Sequence, residues 1–116
     1  MDFRRLHFGS IVIDGVTYSY DAMIDRGRVR KRKKKPSKRF RERFGHTPLS
    51  LEEKLPWKCK RLVVGTGKYG SLPVMEDVKL EALQRKVALL VMPTDEAIET
   101  LARNPKDTNA ILHVTC

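Results

Sequence analysis

The stretch LVVGTG at residues 62–67 decides the fold of this chain. Its first three residues are wholly apolar, which is typical of a strand buried on both faces of a sheet. Similar apolar runs follow at residues 87–92 and 110–114. Helical patterns separate the three runs, and parallel strands need such crossover connections. We therefore predict a β-α-β-α-β unit in the C-terminal half, with its strands in parallel.

The helices are predicted from their caps and apolar stripes. Residues 50–53, SLEE, match a capping box before a short helix. Pro73 suits the first position of a longer helix, whose apolar stripe would consist of Val74, Val78, Ala82 and Leu83. Thr94 is predicted to cap the last helix, with Asp95 and Glu96 at its positive end. The buried stripe of that helix would consist of Ala97, Ile98, Leu101 and Ala102.

The N-terminal part of the chain is predicted to be β structure. Asp14-Gly15 is a strong hairpin signal, because a type I′ turn needs a positive φ at both central positions. Residues 8–13 and 16–20 flank this turn and are rich in apolar and β-branched residues. They are therefore predicted to form a β-hairpin, which residues 21–24 would extend. Arg26-Gly27 is predicted to form a second turn.

The complete prediction is a single α/β domain over residues 1–116, with a mixed β-sheet, an N-terminal β-hairpin and a C-terminal β-α-β-α-β unit. A chain of 116 residues with 41% hydrophobic and 33% charged residues suits one folded domain with a modest core. No apolar run approaches the roughly 18 residues that span a bilayer. Residues 1–5 also lack the pattern of a secretory signal.

Cysteine usage and composition indicate the compartment. Cys59 and Cys116 are too few for a disulfide framework, and the sequence leaves open whether they form one bridge. Reduced thiols are the default in the cytoplasm, so we expect a cytoplasmic protein. One Gln and two Asn among many Lys, Arg and Glu resemble the composition of thermophile proteins.

The net charge of +10 is concentrated in one segment. Residues 26–43 hold twelve Lys or Arg and one acid, a net +11 that leaves the rest of the chain at −1. We predict a strongly basic hairpin or loop here, in which residues 28–30 form an edge strand. Pro36 prevents a continuous helix. Phe40 and Phe44 are candidates to anchor this basic segment on the body of the domain.

The basic segment could contact a nucleic acid, an acidic protein or a membrane surface, or it could be a solvated loop that serves solubility. No nucleic-acid-binding motif accompanies it, so charge is the only indication. The candidate contact residues are Arg28, Arg30, Lys31, Arg32, Lys33, Lys34, Lys35, Lys38 and Arg39.

The loop at residues 65–70 fits the pattern G-x-G-x-x-G, and such a loop can bring backbone amides to a phosphate. A dinucleotide site is disfavoured because the helix is predicted to begin only near Pro73. Asp95, in the position of a ribose-binding acid, would also be occupied at its own helix N-terminus. A tight turn and a small-anion site remain as alternatives. The anion site would use Gly65, Thr66, Gly67, Lys68 and Gly70.

His46, Cys59, His113 and Cys116 are the remaining candidates for chemistry. His46 lies in a Gly-His-Thr-Pro loop, where it could form a hydrogen bond or belong to a site. Cys59 lies between two lysines, whose charges favour a thiolate, with an ordinary thiol as the alternative. His113 and Cys116 are three residues apart, so on a strand they would point to opposite faces. We therefore predict no metal site, no cofactor and no catalytic residue, although the fold could still create a Cys–His pair.

Five stretches, at residues 8–11, 15–18, 62–67, 94–97 and 111–116, resemble in order and spacing a family of small uncharacterised archaeal and bacterial domains. That family also includes the adipogenesis-associated domain protein of animals and a mitochondrial assembly factor of respiratory complex I. The resemblance implies a one-domain α/β fold, no assigned enzyme activity and a role in assembly or interaction. It supplies no catalytic residue, and the basic segment is longer than the family pattern leads us to expect.

The leading hypothesis is a non-enzymatic binding or assembly domain with an unidentified protein partner. Its candidate contact surfaces are the basic segment and the loop at residues 65–70. The first alternative is a nucleic-acid-binding protein that acts through the basic segment. The second is a small anion- or nucleotide-binding domain or enzyme that uses the glycine loop with His46 or Cys59.

Overall fold

The computed structural model describes the backbone of residues 1–116 and the side chains of residues 1–3 and 7–116. An N-terminal antiparallel sheet contains β1 (Phe3–His7), β2 (Ser10–Ile13) and β3 (Val16–Tyr18), in that order. Asp14 and Gly15 join β2 to β3 with φ of 50° and 78°, as a type I′ turn requires. The predicted hairpin is confirmed, and β1 adds a third strand to it.

The main sheet contains β4 (Ala22–Asp25), β5 (Arg28–Lys31), β6 (Arg61–Thr66), β7 (Ala88–Met92) and β8 (Thr108–His113). Its strand order is β5-β4-β8-β6-β7. Strand β6 pairs in parallel with β7 and with the central strand β8, whereas β4 pairs antiparallel with β5 and β8. The predicted mixed sheet is therefore confirmed. The prediction that residues 21–24 extend the hairpin is wrong, because β4 buries Ala22 and Ile24 in the main sheet.

The helices are a 3₁₀-helix (Lys35–Phe40), α1 (Arg41–Phe44), α2 (Glu76–Gln84) and α3 (Thr94–Arg103). Helix α2 begins after the predicted position because Pro73 belongs to an extended segment. There Leu49 N–H donates to the Pro73 carbonyl, and the next residue, Val74, forms a β-bridge with Leu49. The predicted α2 stripe is also wrong at Leu83, which is 74% exposed. Within the part of the chain that the structure describes, no helix is long and apolar enough to cross a membrane.

Thr94 has a different role from the predicted one. The residue that caps α3 is Pro93, and Thr94 is fully buried in the first turn. Its hydroxyl donates to the His113 carbonyl oxygen at 2.7 Å and accepts the Gly67 N–H at 2.8 Å. A buried hydroxyl must find such partners. Thr94 therefore joins the ends of β6 and β8 to α3.

Two hydrophobic clusters cover the two faces of the main sheet, because successive side chains of a strand alternate between faces. In β6, Val63 packs in the cluster that contains the N-terminal sheet and α3. Its neighbours Leu62 and Val64 pack in the second cluster, with Val78 of α2. The second face is closed further by Leu49, from the segment before β6. All these side chains are buried. The site described below lies at the end of this sheet where β6 and β8 finish.

Gly67→Ala should destabilise the fold by about 3 kcal/mol. Gly67 has φ of 104°, and a Cβ there would overlap the Cys116 carbonyl carbon and lie 2.7 Å from the Thr115 carbonyl oxygen. Gly27 is the matched control, since it has φ of 81° but open space around its Cβ position. We expect Gly27→Ala to cost only about 1 kcal/mol. Equal losses in urea unfolding would contradict the close contact.

Candidate functional site

The basic segment consists of an edge strand, the 3₁₀-helix and α1. Of its twelve Lys and Arg side chains, eleven are exposed. Arg32 is the exception, with 4% of its surface exposed. Arg32 therefore differs from its neighbours because its charge faces inward, and its role as a contact residue stays a prediction.

Arg32 contacts two carboxylates and a carbonyl. Its Nε and Nη2 donate to the two carboxylate oxygens of Glu53 at 2.8 and 2.9 Å. Its Nη1 donates to Asp21 Oδ2 at 2.9 Å, and Nη2 also reaches the Pro48 carbonyl oxygen at 3.0 Å. Burial disfavours the guanidinium charge, but hydrogen bonds and charges of the two carboxylates raise the Arg32 pKa. Arg32 therefore stays charged inside the protein.

The Glu53 carboxylate binds Arg32 and does not cap a helix N-terminus. The predicted capping box at residues 50–53 is wrong, since these residues form a turn without a helix. Glu53 Oε2 accepts a hydrogen bond of 2.6 Å from the hydroxyl of Ser37, which lies 2.6 Å from the Ser50 hydroxyl. A buried guanidinium needs carboxylates for compensation, and this need takes precedence over local capping. The contacts of Arg32 and Ser37 thus fix the basic segment to the body of the domain.

Phe40 and Phe44, the predicted anchors, are only half-buried. The guanidinium of Arg39 lies 4.8 Å from the centre of the Phe40 ring, and that of Arg43 lies 5.3 Å from the centre of the Phe44 ring. The two rings are covered by cations and are absent from both hydrophobic clusters. The anchor of the segment is therefore polar.

Asp21 connects Arg32 to His113. Its Oδ2 lies 2.8 Å from His113 Nδ1, and its Oδ1 accepts the Val114 N–H at 3.0 Å. Burial by itself raises the pKa of Asp21. The hydrogen bond and charge of His113, the charge of Arg32 and the Val114 N–H outweigh burial and lower that pKa to about 2. An ionised carboxylate can only accept hydrogen bonds. His113 must therefore carry a proton on Nδ1, and in the neutral ring Nε2 is free to accept one.

Cys116 lies beside this histidine. Its Sγ is 3.6 Å from His113 Nε2 and 3.4 Å from His46 Nδ1. The Thr115 hydroxyl also approaches His113 Nε2, at 3.1 Å. The prediction that His113 and Cys116 point to opposite faces is wrong, because β8 ends at His113 and strand alternation stops there. The fold thus creates a Cys–His–Asp arrangement that the spacing of these residues concealed.

Cys116 and the two histidines, His46 and His113, line a pocket of about 300 Å³. The basic segment and the loop after it form one wall, and the chain after β8 forms the other. Among the described side chains, four basic ones line the pocket. The described lining residues are Arg32, Lys34, Lys38, Arg41, Gly45, His46, Thr47, Leu72, His113, Thr115 and Cys116. The pocket therefore combines a thiol, two imidazoles and a positive rim.

The glycine loop supports this pocket from outside. The N–H of Lys68 donates to the Thr115 carbonyl oxygen at 2.6 Å, and the N–H groups of Tyr69 and Ser71 donate to the Cys116 carbonyl oxygen at 3.2 and 3.0 Å. The N–H groups of Gly67 and Gly70 are also occupied, by Thr94 and by the Gly67 carbonyl. The amides of Gly67, Lys68 and Gly70 are therefore occupied within the protein, and Gly65 and Thr66 belong to β6. An anion site at Gly65, Thr66, Gly67, Lys68 and Gly70 stays a prediction. The loop holds Cys116 in place.

Cys59 differs from Cys116. Its Sγ donates to the Pro56 carbonyl oxygen at 3.5 Å. Burial chiefly, together with the charge of Asp25, raises the pKa of the Cys59 thiol, opposite to the effect expected from its lysine neighbours. Asn109, near the start of β8, donates to the same Pro56 carbonyl, so Cys59 and Cys116 lie at opposite ends of that strand. Both thiols are free and form no bridge.

No group of three or more His, Cys, Asp or Glu among the described side chains is arranged to hold a metal ion. Lys68 Nζ lies 3.6 Å from Asp95 Oδ2, and both side chains are exposed. Asp95, at the start of α3, therefore faces the Lys68 side chain and does not line the pocket beside Cys116.

Solved structures share this fold. The conserved hypothetical protein PH1505 from Pyrococcus horikoshii OT3 has a TM-score of 0.80 and 29% identity, with both chains fully covered. A structure named MT938 has a TM-score of 0.66 and 25% identity over 98% of this chain and 97% of its own. A Mth938-like domain from Bordetella pertussis has a TM-score of 0.58 and 18% identity over 93% of this chain and 82% of its own. No protein-family model and no curated protein matches the chain.

The chain therefore has the fold of small hypothetical proteins and Mth938-like domains. This similarity supports the predicted resemblance to a family of small uncharacterised domains. The names of these proteins give no ligand or reaction. The relation to the adipogenesis-associated protein and to the complex I assembly factor stays a prediction.

The contacts of Asp21 should make stability depend on pH in a defined range. Folding lowers the Asp21 pKa from its ordinary value of 3.8 to about 2. The resulting stabilisation is complete above about pH 4 and is lost as the pH falls towards about 2; we expect it to be about 2 kcal/mol. Between these pH values, Asp21→Asn should lose less unfolding free energy than the wild type. Denaturant titrations at several pH values test this, and parallel losses in both proteins would contradict it.

Proposed function

We propose that this protein is a binding or assembly domain that takes an acidic segment of a partner protein into its basic pocket. The proposal rests on this pocket, because the pocket brings together two candidate contact surfaces that are separate in the sequence. The basic segment supplies its cationic wall, and the glycine loop supports the opposite wall at residues 115–116. A carboxylate side chain of a partner would find complementary charge there.

The cations at the pocket mouth are available for such a partner. Lys34, Lys38 and Arg41 are exposed, and no carboxylate among the described side chains forms an ion pair with them. Among the side chains that the structure describes, two exposed cations of the basic segment are paired with carboxylates: Arg26 with Asp25 and Arg39 with Glu52. Exposed cations without partners are attractive sites for an acidic ligand and add to its association rate.

The aromatic rings favour an acidic protein over a single-stranded nucleic acid. Binding of single strands relies on open aromatic rings on which bases stack. In the basic segment, the rings of Phe40 and Phe44 are each covered by the guanidinium of an adjacent arginine. A basic segment whose rings are not open for base stacking is better suited to ionic contacts with an acidic protein.

Binding of a fluorescent oligoglutamate peptide tests the proposal. Replacing Lys34, Lys38 and Arg41 by alanine should weaken binding at about 0.15 M salt by roughly tenfold. The matched control replaces Lys58, Lys60 and Lys106 by alanine. These lysines are also exposed but lie at the other end of the sheet, where the Lys60 N–H donates to Asp107. The control should change binding by less than about twofold.

Two outcomes would contradict the proposal. Equal weakening by the two triple variants would show a response to net charge alone. Tighter, strongly salt-dependent binding of labelled oligonucleotides than of the peptide would favour the nucleic-acid alternative.

A further inference from the structure

We infer that Cys116, His113 and Asp21 form a reactive thiol site that accepts an acyl group from an anionic thioester. This inference goes beyond the proposed docking function and does not depend on it. It requires a thiol, a base, a group that orients the base, and an electrophile that fits the pocket.

The three side chains are arranged as a nucleophile, a base and an orienting group. Cys116 Sγ lies 3.6 Å from His113 Nε2, and His113 Nδ1 lies 2.8 Å from Asp21 Oδ2. This is the order of contacts found in activated thiol and hydroxyl nucleophiles. The Sγ–Nε2 distance is long for proton transfer, but such contacts often shorten when a substrate binds.

The proton inventory is consistent with this arrangement. Ionised Asp21 fixes the Nδ1 proton of His113, which leaves Nε2 as the acceptor. Two hydroxyl or thiol groups can donate to it: Thr115 Oγ1 at 3.1 Å and Cys116 Sγ at 3.6 Å. Of these, the thiol is the better nucleophile and the stronger acid. His46 Nδ1 also lies 3.4 Å from Cys116 Sγ, but only His113 is oriented by a carboxylate among the described side chains. Asp21 is thus a positioning residue, and His113 is the base.

The pocket selects the charge of the electrophile. Lys34, Lys38 and Arg41 line the same pocket of about 300 Å³ as Cys116, so an anionic group would be held close to the thiol. The same cations can stabilise the negative charge that develops on the carbonyl oxygen during acyl transfer. A pocket of this size accommodates a small ligand.

Acyl transfer fits better than dithiol redox chemistry. A dithiol couple needs a second thiol near the first. Cys59 is hydrogen-bonded to Pro56 at the far end of β8, and both cysteines are free. A Cys–His–Asp arrangement with one thiol instead matches the requirements of acylation.

The acylation step is balanced without a further reagent. As Sγ of Cys116 forms a bond to the acyl carbon, its proton passes to His113 Nε2. The carbon–sulfur bond of the thioester then breaks, and the departing thiolate takes the proton from His113. The products are S-acyl Cys116 and the free thiol of the donor.

The experiment measures acetylation of each cysteine by peptide mass spectrometry, with a metal chelator present throughout. Acetyl coenzyme A is the anionic thioester and S-acetyl-N-acetylcysteamine the neutral one. In the wild type, we expect Cys116 to react at least about tenfold faster with the anionic donor than with the neutral one. Cys59 serves as an internal reference; because the exposed Lys58 and Lys60 flank it, it should show a preference, but one clearly weaker than that of Cys116. His113→Gln should slow acetylation of Cys116 by about 100-fold, with Cys59 unchanged.

Two further variants separate chemistry from folding. Asp21→Asn should slow the acetylation of Cys116, and Cys59 should still be acetylated slowly. Unfolding would instead expose Cys59 and accelerate its acetylation. The double variant Lys34→Ala/Lys38→Ala replaces exposed side chains and should abolish the preference for the anionic donor. Wild-type rates at Cys116 in folded His113→Gln, or an unchanged preference in the double lysine variant, would overturn the inference. Equal reactivity of Cys116 and Cys59 in the wild type would overturn it as well.

Discussion

Compensation of the buried charge of Arg32 is the constraint on which the rest of the structure depends. A guanidinium removed from water is stable only if carboxylates and hydrogen-bond acceptors surround it. Asp21, just before β4, and Glu53, from the turn at residues 50–53, meet this need from two distant parts of the chain. Three segments are thereby held at one end of the main sheet.

The site follows from this arrangement. Arg32 turns inward, and the exposed cations that follow it, Lys34 and Lys38, line the pocket at the end of β8. Because Asp21 binds both Arg32 and His113, one carboxylate belongs at once to the structural network and to the candidate site. Close approach of Gly67 to the chain after β8 completes the opposite wall. The exposed positive charge at the pocket and the buried hydrogen-bond network of Arg32 and Asp21 are therefore linked.

Sequence was informative where the determining interactions are local. The Asp14-Gly15 turn, the apolar strand at residues 62–64 and the basic edge strand depend on neighbouring residues, and the structure confirms them. The site depends on contacts between distant residues: Asp21 and His113 are 92 positions apart, and His46 and Cys116 are 70 apart. Glu53 illustrates the conflict, since its local pattern indicates a cap while its tertiary partner is Arg32. A run of like charges likewise gave no sign that one arginine is buried.

A double-mutant cycle between Arg32→Met and Glu53→Met, measured by denaturant unfolding, tests the central role of the buried pair. Each single change leaves a charge buried without its main partner and should cost about 3–5 kcal/mol. The double variant should cost about as much as one single change, because Asp21 retains His113 and Val114. Lys33→Met, a change at the adjacent exposed lysine, should be nearly neutral and additive with Glu53→Met. Additivity of Arg32→Met and Glu53→Met within about 0.5 kcal/mol would contradict the account.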